Sequence, residues 1–132
     1  MADPEIRSFE DFWPFYVRAH RKPLTRTLHA IGTSVGAAVA LAGLATGRRR
    51  LVPTGFVIGY AFAWYSHFFV EGNKPATFGH PLYSFKADWI MLGKILSGTM
   101  DAEVARWTAD EESPAPASER APADLVGDGV LH

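Results

Sequence analysis

Two uncharged stretches dominate the hydrophobic pattern. Thr27 to Gly47 is twenty-one residues without a formal charge, bracketed by Arg26 and Arg48. Leu51 to Val70 is twenty more, bracketed by Arg50 and Glu71. A helix rises about 1.5 Å per residue, so twenty residues cover about 30 Å, the thickness of a bilayer core. The pattern therefore predicts two transmembrane helices. The first is rich in Ala and Gly; the second carries Phe56, Val57, Ile58, Phe62, Phe68 and Phe69. The turn between them, Gly47-Arg48-Arg49-Arg50, is so short that the helices must be antiparallel neighbours, a hairpin. A buried soluble hairpin is the competing reading, but so short a chain has little polar surface to cover two such runs. Gly32–Gly36, Gly43–Gly47 and Gly55–Gly59 recur at four-residue spacing, which lets helix backbones approach closely in lipid. The same Gly-rich faces are candidate contacts for a homo-oligomer.

The flanks read as shorter helices. Residues 12–20 predict a short aromatic helix with Asp11 as N-cap, Pro14 in the first turn and Pro23 as terminator. Residues 82–100 predict an amphipathic helix, with Leu82, Phe85, Trp89, Leu92 and Leu96 on one stripe. Lys86 and Lys94 would suit a helix in the headgroup layer; a core-facing helix fits the same spacing. From Thr108 onward, prolines and excess acid predict a disordered tail. The fold class expected is thus all-α: a small membrane helical bundle with a two-helix transmembrane hairpin flanked by the aromatic and amphipathic helices. One helical membrane domain is expected over residues 1–107 and an acidic Pro/Ala-rich tail over 108–132.

Charge refines this picture. The chain of 132 residues has a net charge of −1, but the sum is a cancellation. By count, residues 1–11 carry −3, residues 12–100 carry +8 and residues 101–132 carry −6. The middle bases flank the apolar runs as topology signals do, so nucleic acid is not an expected partner. Arg18, Arg21, Lys22, Arg26, Lys74, Lys86 and Lys94 lie on the side of the termini, against three arginines in the turn, which predicts an integral membrane protein with cytoplasmic termini. The polar N-terminus has no apolar core of a secretory signal. The absence of cysteine excludes disulfides, zinc ribbons, iron–sulfur clusters and thiol nucleophiles.

Four histidines outside the tail, His20, His29, His67 and His80, fall at one end of the hairpin. A lone histidine is most often a satisfied polar residue, but four at one depth, two of them inside apolar runs, point to a metal site. Glu71 follows His67 by four residues and would share its face on a continuing helix. Imidazole and carboxylate together suit iron or zinc, with Glu71 either on the metal or orienting a histidine. Pairing of Glu71 with Lys74 is the plainer alternative. Asp88, the one other acid between residues 12 and 100, is expected to pair with a lysine or cap a helix and to matter less than Glu71.

Two blocks carry a family resemblance. One is His20-x-x-Pro23-x-x-Arg26-x-x-His29-x-Ile31-Gly32. The other runs Trp64-x-x-His67-Phe68-x-x-Glu71-x-Asn73-Lys74-Pro75-Ala76-Thr77-Phe78-x-x-Pro81, followed by Ser84 and Asp88. Over residues 8–100 the chain resembles the Mpo-type 2-hydroxy fatty acid dioxygenase family. The resemblance implies a small multi-helix membrane protein, Fe(II) as cofactor, O2 and a 2-hydroxy fatty acid as substrates, and shortening of the acid by one carbon. It maps family histidines onto His20, His29 and His67 and an acid onto Glu71; His80 has no fixed counterpart and is a fifth metal-ligand candidate by position. Arg26 and Lys74, beside the two blocks, are candidates to neutralise the substrate carboxylate, with snorkelling to headgroups as their ordinary role. Two other functions remain open on sequence: a bis-histidine haem protein using His29 and His67, and a membrane scaffold without catalysis.

Overall fold

A computed structural model describes residues 5–112. Among the described residues every regular element is helical. Helix α1 spans Phe9–Arg18, α2 Pro23–Thr46, α3 Leu51–Tyr65, α4 Pro81–Leu96 and α5 Met100–Glu112; a π-helical turn, Ser66–Glu71, continues α3, and a short 3-10 turn, Ala76–Phe78, precedes α4.

The antiparallel hairpin is α2 against α3. Gly47, at φ 71° in the left-handed region, ends α2, as glycine commonly does. Several of the glycines at four-residue spacing lie inside the hairpin. A Cβ on Gly36 would fall 2.5 Å from the carbonyl oxygen of Gly55, and one on Gly32 would fall 2.6 Å from Cβ of Phe62. Backbones this close leave no room for side chains at Gly32 and Gly36.

Among the described residues one helix, α2, with 24 residues, is long and apolar enough to cross a membrane. The second predicted span is realised as 15 α-helical residues followed by the six of the π turn. Large apolar side chains point outward along both helices, among them Leu44 and Val57, each 67% exposed.

The remaining helices make a core of their own beside the hairpin's histidine end. Phe12, Tyr16 and Val17 of α1 pack with Ala87 and Met91 of α4 and with Met100 of α5. Helix α1 begins earlier than predicted: Ser8, not Asp11, is its N-cap, and the Ser8 hydroxyl accepts from the Asp11 backbone N–H. Pro14 accordingly falls in the second turn. Helix α4 turns its predicted apolar stripe away from this core. Leu82 and Leu96 are largely exposed and Phe85 and Trp89 about half, whereas Ser84, Ala87 and Met91 face inward. The helix α5 was not foreseen. Its spacing signal is Met100, Val104 and Trp107, which do contact the core, but the surrounding acids mask it. It carries the chain through Glu112; the rest of the predicted tail lies outside the described residues.

Candidate metal centre

Three of the predicted histidines converge where α1, the hairpin and α4 meet. His20 sits in the turn after α1, His29 in the second turn of α2, and His67 in the π-helical turn. All three are buried. Their Nε2 atoms lie 3.2 Å apart between His20 and His29, and 3.2 Å between His29 and His67. One potential ligand atom from each lies within 4.8 Å of the other two.

Two of these rings have their other nitrogen hydrogen-bonded to an acceptor, and the third has a carboxylate close by. Nδ1 of His20 donates to the Tyr16 carbonyl at 2.6 Å. Nδ1 of His67 donates to Oδ1 of Asn73 at 2.7 Å, and the Asn73 amide is itself oriented by donating to the Ala19 carbonyl at 3.0 Å. Nδ1 of His29 lies 3.3 Å from Oδ1 of Asp88. A neutral imidazole with its proton on Nδ1 presents a lone pair at Nε2, so with all three protons on Nδ1 three lone pairs face one another. A proton on His29 Nε2 could point at one neighbour but not linearly at both. A metal ion resolves the conflict. At 2.0–2.1 Å from three nitrogens, with angles between 90° and tetrahedral, it would set neighbouring nitrogens about 2.9–3.4 Å apart, which brackets the observed 3.2 Å. The residues therefore fit a divalent ion. Burial, reinforced by the neighbouring His29 and His67, pushes the His20 pKa well down, which keeps this ring neutral and its lone pair free.

Tyr16 and Asp88 buttress the cluster. The Tyr16 ring stacks on His20 with centroids 4.0 Å apart, and its hydroxyl donates to Asp88 at 2.5 Å. Burial, followed by the Asp88 charge, pushes the Tyr16 pKa well up, so the phenol stays protonated and remains a donor. Sequence spacing missed Tyr16 and misjudged Asp88, because only the docking of α4 brings Asp88 to His29.

The other predicted site residues lie elsewhere. Glu71 is turned to the start of α2, where its carboxylate accepts from the backbone N–H groups of Arg21 and Lys22, both at 3.1 Å, and from the Thr25 hydroxyl at 2.6 Å. The reason is physical: Lys22 gives α2 no side-chain cap, and a carboxylate is favoured beside unpaired N–H groups at a helix N-terminus. The α-helical spacing that put Glu71 over His67 is replaced by i→i+5 bonding in the π turn. His80 stands before α4 and packs on Phe12 and Tyr83, outside the cluster. Arg26 is buried and strapped to the carbonyls of His20 and Arg21 and to Asp101. Lys74 is exposed beside the Phe78 ring. Neither base is directed at the histidine cluster, because each already has a partner of its own.

A cavity of about 220 Å³ opens beside the cluster. It begins at His29 and Asp88 and continues between α2, α3 and α4 over mostly apolar lining.

Fold and site together define a small all-helical protein with a buried trihistidine cluster that can hold a metal ion, next to an apolar cavity. The profile of the family described as 2-hydroxy-palmitic acid dioxygenase Mpo1-like matches residues 6–100, and the chain belongs to that family. No curated protein and no solved structure matches it.

Proposed function

We propose that this protein is an integral membrane Fe(II)-dependent dioxygenase that shortens 2-hydroxy fatty acids by one carbon. The observation that carries the reading is the convergence of three Nε2 lone pairs whose Nδ1 partners are all in place. Imidazole suits several transition metals, and the dioxygenase description of the family favours iron among them. His20, His29 and His67 would hold the ion. When bound, Fe(II) supplies redox chemistry with O2 and a Lewis acid for the hydroxy-carboxylate head.

The chain's own residues do the rest. Tyr16, Asn73 and Asp88 fix the tautomer and orientation of the three rings, as partners behind metal-bound histidines do. Asp88 also brings a negative charge that neutral imidazoles lack. The core formed by α1, α4 and α5 keeps bulk water from the ring cluster. The apolar cavity receives the part of the substrate that does not react. With His29 and His67 already 3.2 Å apart and His20 against both, the arrangement favours one compact ion over a porphyrin between two axial ligands.

We read α2 and the continuous helical segment 51–71 as a hairpin through the bilayer, with both termini on the cytoplasmic side. The outward-facing apolar side chains of α2, α3 and α4 support this reading, since a lipid surface would cover them.

The test is oxygen uptake. Protein purified in detergent and loaded with Fe(II) under nitrogen should consume O2 when given 2-hydroxyhexadecanoate and release an acid one carbon shorter. Uptake no greater than that of the metal-free protein would defeat the reading.

A further inference from the structure

The cavity beside the histidines has one polar end and one apolar end. His29 and Asp88 stand at the first. Along α2 its floor is His29, Thr33, Ala37 and Leu41, successive four-residue steps that share one helix face. Each step rises about 6 Å, so Leu41 lies about 18 Å beyond His29. Past Thr33 that stripe has no polar side chain. The far wall is formed in part by the rings of Phe56 on α3 and Phe85 on α4, stacked with centroids 6.0 Å apart. Both rings are about half exposed, so the groove communicates sideways with whatever surrounds the helices.

We propose that this groove is the acyl-chain subsite and that its α2 floor sets the chain length the protein accepts. The occupant is an unbranched acyl chain, head at His29 and tail toward Leu41. This rests on the dioxygenase reading above, which places a carboxylate-bearing head at the cluster. At full extension three single bonds of a chain cover about 3.3–3.6 Å, or about 1.2 Å per bond. The 18 Å from His29 to Leu41 then accommodates about 15 bonds, an acid of about sixteen carbons. Thr33 and Ala37 act as rungs at about 6 and 12 Å, and their small size leaves the path open.

The experiment measures binding of 2-hydroxy acids of four to twenty carbons to the iron-loaded protein under nitrogen, read by indole fluorescence, since Trp89 lines the groove. For the unsubstituted protein, affinity should rise about fourfold per added methylene and level off near sixteen carbons. Ala37→Leu should bring the plateau down to about eleven carbons, and Thr33→Leu to about six, each with the rise intact below its plateau. Circular dichroism is recorded for each variant, and Ala37→Val replaces Ala37→Leu if the larger side chain prevents folding. A plateau that stays put in the folded variants, or an equal loss at every length, would overturn the proposal. Turnover of the same acids with O2 is followed in parallel. Absence of turnover at every length alongside shifting plateaus would defeat the dioxygenase reading and uphold the groove as a chain-length gauge; turnover without any plateau would defeat the groove alone.

Discussion

At the scale of single residues, the three histidines matter as much for what holds them as for what they could hold. Nδ1 of His20 and of His67 is hydrogen-bonded to a carbonyl oxygen and Nδ1 of His29 faces the Asp88 carboxylate, so each ring is oriented before any ion arrives. Asp88 is the acceptor with a charge, and it makes a direct comparison with Glu71 possible. Asp88→Asn keeps the shape but removes the charge behind His29, and it should weaken iron affinity by about 10–100-fold. Glu71→Gln should leave iron affinity within about threefold while lowering stability by about 1 kcal/mol, because it weakens a helix cap. Titration of both variants with Fe(II), next to their thermal unfolding, checks the pair; iron loss confined to Glu71→Gln would reverse the assignment. His20, His29 and His67 were legible in the sequence because the hairpin argument put them at one end. Asp88 and Tyr16 were not. They lie 72 residues apart in sequence yet share a hydrogen bond, and no local spacing rule reaches across that interval.

Among elements, the hairpin depends on bare backbone. Gly36 and Gly55 let α2 and α3 touch, and Gly36→Ala should cost about 1–3 kcal/mol through forced separation of the helices. Gly59→Ala is the control, since its Cβ would meet an atom no closer than 3.6 Å; its unfolding temperature should stay within about two degrees of the parent. The docking of α5 on α1 and α4 is electrostatic as well as apolar. Glu103 accepts from the indoles of Trp13 and Trp107 at 3.0 and 2.9 Å and pairs with Lys94 at 3.1 Å. The Trp13 hydrogen bond, ahead of those from Lys94 and Trp107, holds its carboxyl below the ordinary value of 4.5. A carboxyl depressed in the folded state stabilises above its unfolded pKa, and that contribution is lost as pH falls through the folded value. The indole fluorescence of Trp13 and Trp107 should therefore change on acidification below pH 4.5, and Glu103→Gln should flatten that change. Apolar spacing identified the hairpin, whose runs are long and uncharged. It failed for α5, where three apolar positions are set among acids, and it mistook the outward stripe of α4 for a choice between two faces that only tertiary packing decides.

For the molecule as a whole, a hairpin with outward-facing apolar side chains and a compact helical cap meet at the histidines. That division explains why half-exposed aromatics on α3 and α4 surround a cavity whose inner end is polar. If α2 and the 51–71 segment both span the bilayer, alkaline carbonate should leave the protein in the membrane fraction, and reporters at either terminus should give the same cytoplasmic readout. Release into the supernatant, or opposite readouts, would remove the hairpin from the bilayer. The central claim is narrower than topology: three imidazoles bind one ion. Equilibrium dialysis against Fe(II) under nitrogen, followed by X-ray absorption at the iron edge, addresses it directly. The proposed function predicts one iron per chain with three imidazole nitrogens at about 2.0–2.2 Å, and loss of that stoichiometry in His20→Ala, His29→Ala and His67→Ala but not in His80→Ala. Iron bound at full stoichiometry in the three cluster variants, or no stoichiometric iron in the parent protein, would contradict it.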